Sequence, residues 1–94
     1  MRFTFDPAKD AANIVKHGLS LDDAALVFNA PGKLTLESTK ASEARLMDLA
    51  MAEQAGVVLV LVYVMREPNE VRAISLRRAS KHERSHYASW QETH

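Results

Sequence analysis

Ninety-four residues are enough for one small core and too few for two, so residues 1–94 are read as a single domain. Twelve Lys and Arg balance twelve Asp and Glu, which excludes a globally polyanion-binding surface and leaves only a local one. The absence of cysteine excludes disulfides, thiolate metal sites and a cysteine nucleophile, and suits a reducing cytoplasm.

In chain order, Arg2-Phe3-Thr4-Phe5 alternates and predicts a short strand. Asp6-Pro7 predicts a helix start, because aspartate accepts from free backbone N–H groups and proline at the first position loses no bond. The helix then spans Lys9 to His17 with Ile14 and Val15 inward, and Gly18 ends it. Ser20-Leu21-Asp22-Asp23 opens a second helix, with Leu21, Ala24, Ala25 and Phe28 on one face. Asn29 to Gly32 reads as a turn and Lys33 to Glu37 as an exposed strand. Residues 41–53 are ambiguous: propensity favours a helix, whereas the alternation of Arg45, Met47, Leu49 and Met51 with their neighbours fits a strand. Val57 to Val64 is a β-branched central strand, too short to cross a bilayer as a helix, and residues 71–76 pair with it as a hairpin. The early Asp6 and Asp10 break the pattern of a signal peptide. Ser80-Lys81-His82-Glu83 is a capping box that starts a last helix to about Trp90.

Charge concentrates late in the chain. Arg72, Arg77, Arg78, Lys81 and Arg84 face only Glu83 across residues 72–84. This segment predicts a polyanion site, or a solvated helix face. His82-Glu83-Arg84-Ser85-His86 also spells H-E-x-x-H, in which two histidines one turn apart hold zinc and the glutamate serves as base. A third ligand is wanting, since His94 and Glu92 are terminal and Glu83 already serves the capping box. A small zinc metalloprotease is therefore the weaker alternative, and no metal or other cofactor is assigned.

The chain resembles the BrnT toxin family of bacterial type II toxin–antitoxin systems. The resemblance rests on Phe3, Phe5-Asp6, Lys9, Asn13 and Lys16-His17-Gly18-Leu19-Ser20, then Ala24 and Val27-Phe28. Near the end it rests on Ile74-Ser75, Arg77, Ala79, Glu83-Arg84 and Tyr87. It implies an α+β, RelE-like fold: an antiparallel sheet of about four strands with two N-terminal helices and a C-terminal helix packed on it. That argues for a strand over 43–52. It further implies a translation-blocking ribonuclease neutralised by a BrnA-type ribbon-helix-helix antitoxin, with operator DNA contacted only through the antitoxin.

Metal-free RNA cleavage needs a base for the ribose 2′-OH, cations for the phosphorane and an acid for the leaving oxygen. Arg77 and Arg45 are candidates to clamp the phosphate, because a guanidinium fork meets phosphate oxygens bidentately. His17 titrates near neutrality and is the natural proton carrier, although at a helix end it also complements the dipole. Glu43 is a second candidate base, or a partner for Arg45 on its strand face. Tyr87 donates a proton, stacks on a base or packs the helix. Lys16, Arg78, Lys81 and Arg84 are candidate contacts to RNA. A catalytically inactive relative that only binds antitoxin is the alternative from another class, and it predicts that Arg77 and His17 are dispensable.

Overall fold

The computed structural model describes residues 1–38, 44–52 and 56–93. The chain forms β1 (Arg2–Thr4), α1 (Pro7–His17), a one-turn 3-10 helix (Leu21–Asp23) running into α2 (Ala24–Phe28), β2 (Leu34–Ser38), β3 (Arg45–Ala52), β4 (Val57–Arg66), β5 (Glu70–Arg78) and α3 (Lys81–Glu92). Local chemistry sets the ends. Asp6 accepts from the Ala8 N–H at 2.9 Å, with Pro7 beginning the helix. Gly18 takes φ 70°, and its N–H reaches the Ile14 carbonyl. Ser20 caps the 3-10 turn, not an α-helix, so the second helix starts three residues later than predicted. The capping box of α3 is complete: Glu83 N–H donates to Ser80 Oγ at 3.1 Å and Ser80 N–H to Glu83 Oε1 at 2.8 Å. No described helix is long and apolar enough to cross a membrane.

The sheet has five strands in the order β1-β5-β4-β3-β2. The expected antiparallel sheet of about four strands is therefore corrected to a five-stranded mixed sheet. β2 to β5 form an antiparallel meander, and β1 adds to the outer edge of β5 in parallel. Three residues suffice there because side chains lock the edge: Arg2 pairs with Glu70 at 2.9 Å, and Thr4 Oγ1 donates to the same carboxylate. Residues 45–52 form a strand against their helical propensity. They pair with β4 over residues 46–52 and with β2 over residues 45–49, so residues 46–49 are held by a neighbouring strand on both sides.

Alternation sorts the side chains into two cores. One face of β3, β4 and β5 (Ala50, Leu61, Tyr63, Val71, Ala73 and Leu76) packs on Leu21, Ala24 and Val27 from the N-terminal helices. The other face (Leu34, Leu49, Val58 and Val60) packs under Tyr87 of α3. The expectation for α1 is corrected. Val15 is 89 % exposed and Ile14 46 %, while the residue that α1 buries is Asn13.

Asn13 explains this. β1 ends at Thr4, so the outer edge of β5 beyond Arg72 has no strand partner, and α1 packs on β5. The Asn13 carboxamide imitates a missing strand. Its Nδ2 donates to the Leu76 carbonyl at 2.8 Å, and its Oδ1 accepts the Leu76 N–H at 3.2 Å. It also donates to Leu19 O at 2.8 Å, which ties the helix exit to the same edge. A second buried polar group, Asp48, is fully enclosed and accepts from Lys33 Nζ (2.7 Å), Thr35 Oγ1 (2.7 Å) and Tyr63 OH (2.9 Å). Lys33 also lies 3.9 Å above the Phe28 ring, which meets Phe3 and Tyr63 edge-on.

Candidate active site

The register of β5 contains one irregularity, and it decides where the arginines point. Val62 pairs with Ser75 and Tyr63 with Ala73, so Ile74 is an extra residue without a partner on β4. Strict alternation would send Arg72 and Arg77, five residues apart, to opposite faces. The bulge restores them to one face. Arg77 pairs with Val60 and Arg72 with Val64, and both valines lie on the α3 side of β4.

Arg77 is held by α3. Its Nη1 and Nη2 donate to Glu83 Oε1 and Oε2 at 2.7 and 2.9 Å, and Nη1 also reaches the Arg78 carbonyl at 3.3 Å. The capping box fixes Glu83 and Glu83 in turn fixes Arg77. These hydrogen bonds, the one from Arg77 first, hold the Glu83 carboxyl down to about 2, and they raise the Arg77 guanidinium further above its already high value. A guanidinium has five N–H donors. Glu83 takes the end of the fork, and among the described residues the Nε–Nη2 edge is left for another acceptor.

His17 follows Asn13 by one helical turn, on the same side of α1. Asn13 grips the backbone of Leu76, and the charge of the next residue, Arg77, is felt at His17. Its pKa lies below 6.5. Partial burial is the main cause, and the charges of Lys16 and Arg77 add to it. The shift favours the neutral imidazole, the form able to take a proton.

Arg45 shares the face with Arg77. Extending the register by one residue sets it beside Val64, four paired positions from Val60. That separates the two arginines by about 13 Å along the strands and about 10 Å across them. The register therefore keeps Arg45 apart from Arg77, whose charge reaches His17 on α1. Glu43 lies outside the described residues. Tyr87 is 3 % exposed, and its hydroxyl donates to the Gly32 carbonyl at 3.1 Å, which bolts α3 to the turn before β2. Lys16, Arg78, Lys81 and Arg84 are exposed. Arg84 donates to Ala79 O at 3.0 Å, and with Arg78 it borders a crevice of about 340 Å³ floored by Met51, Val57 and Val58. His82 and His86 are exposed on α3, and the glutamate between them is the one committed to Arg77. No group of three potential metal ligands occurs among the described residues.

Sequence reasoning missed Arg72 and Asn13. Arg72 was visible only as part of a basic run, because the bulge that turns it towards Arg77 leaves no mark in the alternation. Asn13 carried a signal: a polar residue at the centre of an otherwise amphipathic helix.

The sequence model of the ribonuclease toxin BrnT of type II toxin–antitoxin systems matches residues 5–83. Among solved structures, the crystal structure of the Brucella abortus ribonuclease toxin BrnT superposes with a TM-score of 0.67 at 25 % identity, covering 86 % of this chain and 99 % of that one. No curated protein matches the chain.

Proposed function

The chain belongs to the BrnT family of ribonuclease toxins of type II toxin–antitoxin systems, and we propose that it cleaves RNA without a metal, at the end of β5. The observation that carries this reading is a positioned guanidinium whose charge reaches an imidazole kept towards its neutral form. Asn13 docks the helix of His17 on β5, and Glu83 holds Arg77 by one end of its fork. His17 takes the proton of a ribose 2′-OH as its oxygen attacks the adjacent phosphorus. The P–O5′ bond breaks and the leaving oxygen takes a proton from water, which yields a 2′,3′-cyclic phosphate and a 5′-hydroxyl. The Nε–Nη2 edge of Arg77 receives the charge that develops on the phosphorane oxygens. Arg45, too distant to clamp the same phosphate, holds the strand further along. Glu43 remains a second candidate base. Tyr87 supports the site through α3 and does not enter the chemistry. Lys16, Arg78, Lys81 and Arg84 surround the site and draw RNA towards it.

Such a toxin cleaves RNA in the cytoplasm and inhibits translation. Its antitoxin is of the BrnA type and covers the same arginines with acidic or apolar side chains. Operator DNA is contacted by the antitoxin's ribbon-helix-helix part.

The test is RNA cleavage by the purified chain in EDTA, beside Arg77→Ala, with and without ribosomes. Cleavage that the variant loses supports the reading. Arg77→Ala cutting as fast as the parent would overturn it. No cleavage by either protein, with binding of antitoxin intact, would favour the inactive antitoxin-binding module.

A further inference from the structure

The face that carries Arg77 continues past it. In the row four positions away, Arg72 on β5 pairs with Val64 on β4, and the β3 register extended by one residue sets Arg45 on the other side of Val64. Between this row and Arg77 lies a half-exposed row of Ser75, Val62 and Met47, apolar on β4 and β3, with Trp90 of α3 packed against the same cluster. Among the described residues, Glu70 and Glu83 on this side are already engaged. Glu70 is bound by Arg2 and Thr4, and Glu83 by Arg77. No hydrogen bond or ion pair among the described residues occupies the Arg72 guanidinium.

We propose that the Ile74 bulge recruits Arg72 into the RNA site, where it holds a phosphate flanking the scissile one while a nucleobase lies on Met47 and Val62 beside Trp90. The inference rests on the reading that this face cuts RNA, and deepens it. Arg72 and Arg77 stand about 13 Å apart along β5, which is too far to share one phosphate. They therefore serve different phosphates of one strand, and the apolar floor between them suits an unstacked base. An unbulged β5 would put Arg72 on the opposite face, under the N-terminal helices. A bulge beside a catalytic candidate that re-aims a side chain in this way has a use beyond bending the strand. Arg72 is thus a positioning residue, which acts on binding and not on the reacting atoms.

The alternative is packing. Val64 is 9 % exposed between the two arginines, so the Arg72 stem also shields it. Arg72→Gln keeps most of that stem and removes the charge, while Arg72→Lys keeps the charge. The probe is a short 2′-fluoro RNA, which lacks the nucleophile, titrated over a range of salt. Its cleavable counterpart is followed by kinetics. Arg72→Gln is expected to weaken binding about tenfold and to flatten the log–log salt slope by about 0.7, the share of one phosphate contact on a single strand. KM rises, kcat stays, and Arg72→Lys restores the slope. An unchanged affinity and slope in Arg72→Gln, beside a parent that binds and cleaves, would overturn the role of Arg72 alone. A fall in kcat at constant KM would also overturn it, since Arg72 would then act at the reacting phosphate. Failure of the parent to bind RNA would remove both the subsite and the reading beneath it.

Discussion

A guanidinium gripped end-on by a carboxylate has its orientation settled before any substrate arrives. Glu83 does this for Arg77, and the exchange of charge leaves the side edge of the fork facing outward. The same positive charge acts on His17, whose pKa is lowered by burial first and then by Lys16 and Arg77. The two candidate groups are thus coupled, and the coupling can be measured without catalysis. Replacing Arg77 by Ala removes one of the charges that oppose protonation, so the His17 pKa must rise. It stays below 6.5, because burial and Lys16 remain. An NMR titration of the His17 ring in parent and Arg77→Ala reads this shift, and identical titrations would mean that the two groups are not neighbours. In activity, a base with a lowered pKa keeps its working form down to pH values below 6.5. The acid limb of kcat/KM is therefore expected below that value in the parent, and to be absent in His17→Ala.

At the scale of elements, the decisive contact is Asn13 on β5. Removing it leaves the Leu76 N–H and carbonyl at a buried sheet edge without partners, and Leu19 O without its donor. Asn13→Ala is expected to cost about 2–4 kcal/mol in urea unfolding and to reduce cleavage even where the protein is fully folded, as His17 loses its fixed distance from Arg77. An effect on stability below about 0.5 kcal/mol would deny Asn13 this part. The contact also shows where a sequence stops being informative. The caps at Asp6 and Ser80 and the β4–β5 hairpin were legible, because each depends on residues close in sequence. The inward side of α1 was not. Ile14 and Val15 suggested the usual apolar face, but this helix lies against an open strand edge, where an amide is worth more than a methyl group. Strand β3 was ambiguous from propensity and was settled by its two partners. The position of Arg72 depended on a single unpaired residue, which no period can reveal.

Across the whole molecule, the perturbed groups combine into one pH profile of stability. Glu83 is held down to about 2 by Arg77, and Glu70 is lowered by Thr4 and Arg2. A carboxylate with a depressed folded pKa contributes stability above its unfolded value, near 4.5, and loses it as pH falls through the folded one. His17 has the same sign for a different reason. Its charged form is disfavoured by the fold, so the unfolded chain takes up the proton first and stability declines as pH falls below 6.5. Tyr63 acts from the other side. Burial, with the charge of Asp48 and the hydrogen bond to it, raises its phenol above 10, so the unfolded chain ionises first and stability declines as pH rises past 10. The expected optimum is therefore a plateau between about pH 7 and 10, bounded by His17 below and Tyr63 above. Thermal unfolding across pH 3 to 11 tests it. Two variants assign the edges: Tyr63→Phe removes the alkaline decline at a cost in stability throughout, and His17→Gln removes the first step of the acid decline while the carboxylate step remains. A melting temperature that peaks below pH 6 would contradict the sign derived for His17. It would also remove the ground for treating that imidazole as a neutral base beside Arg77.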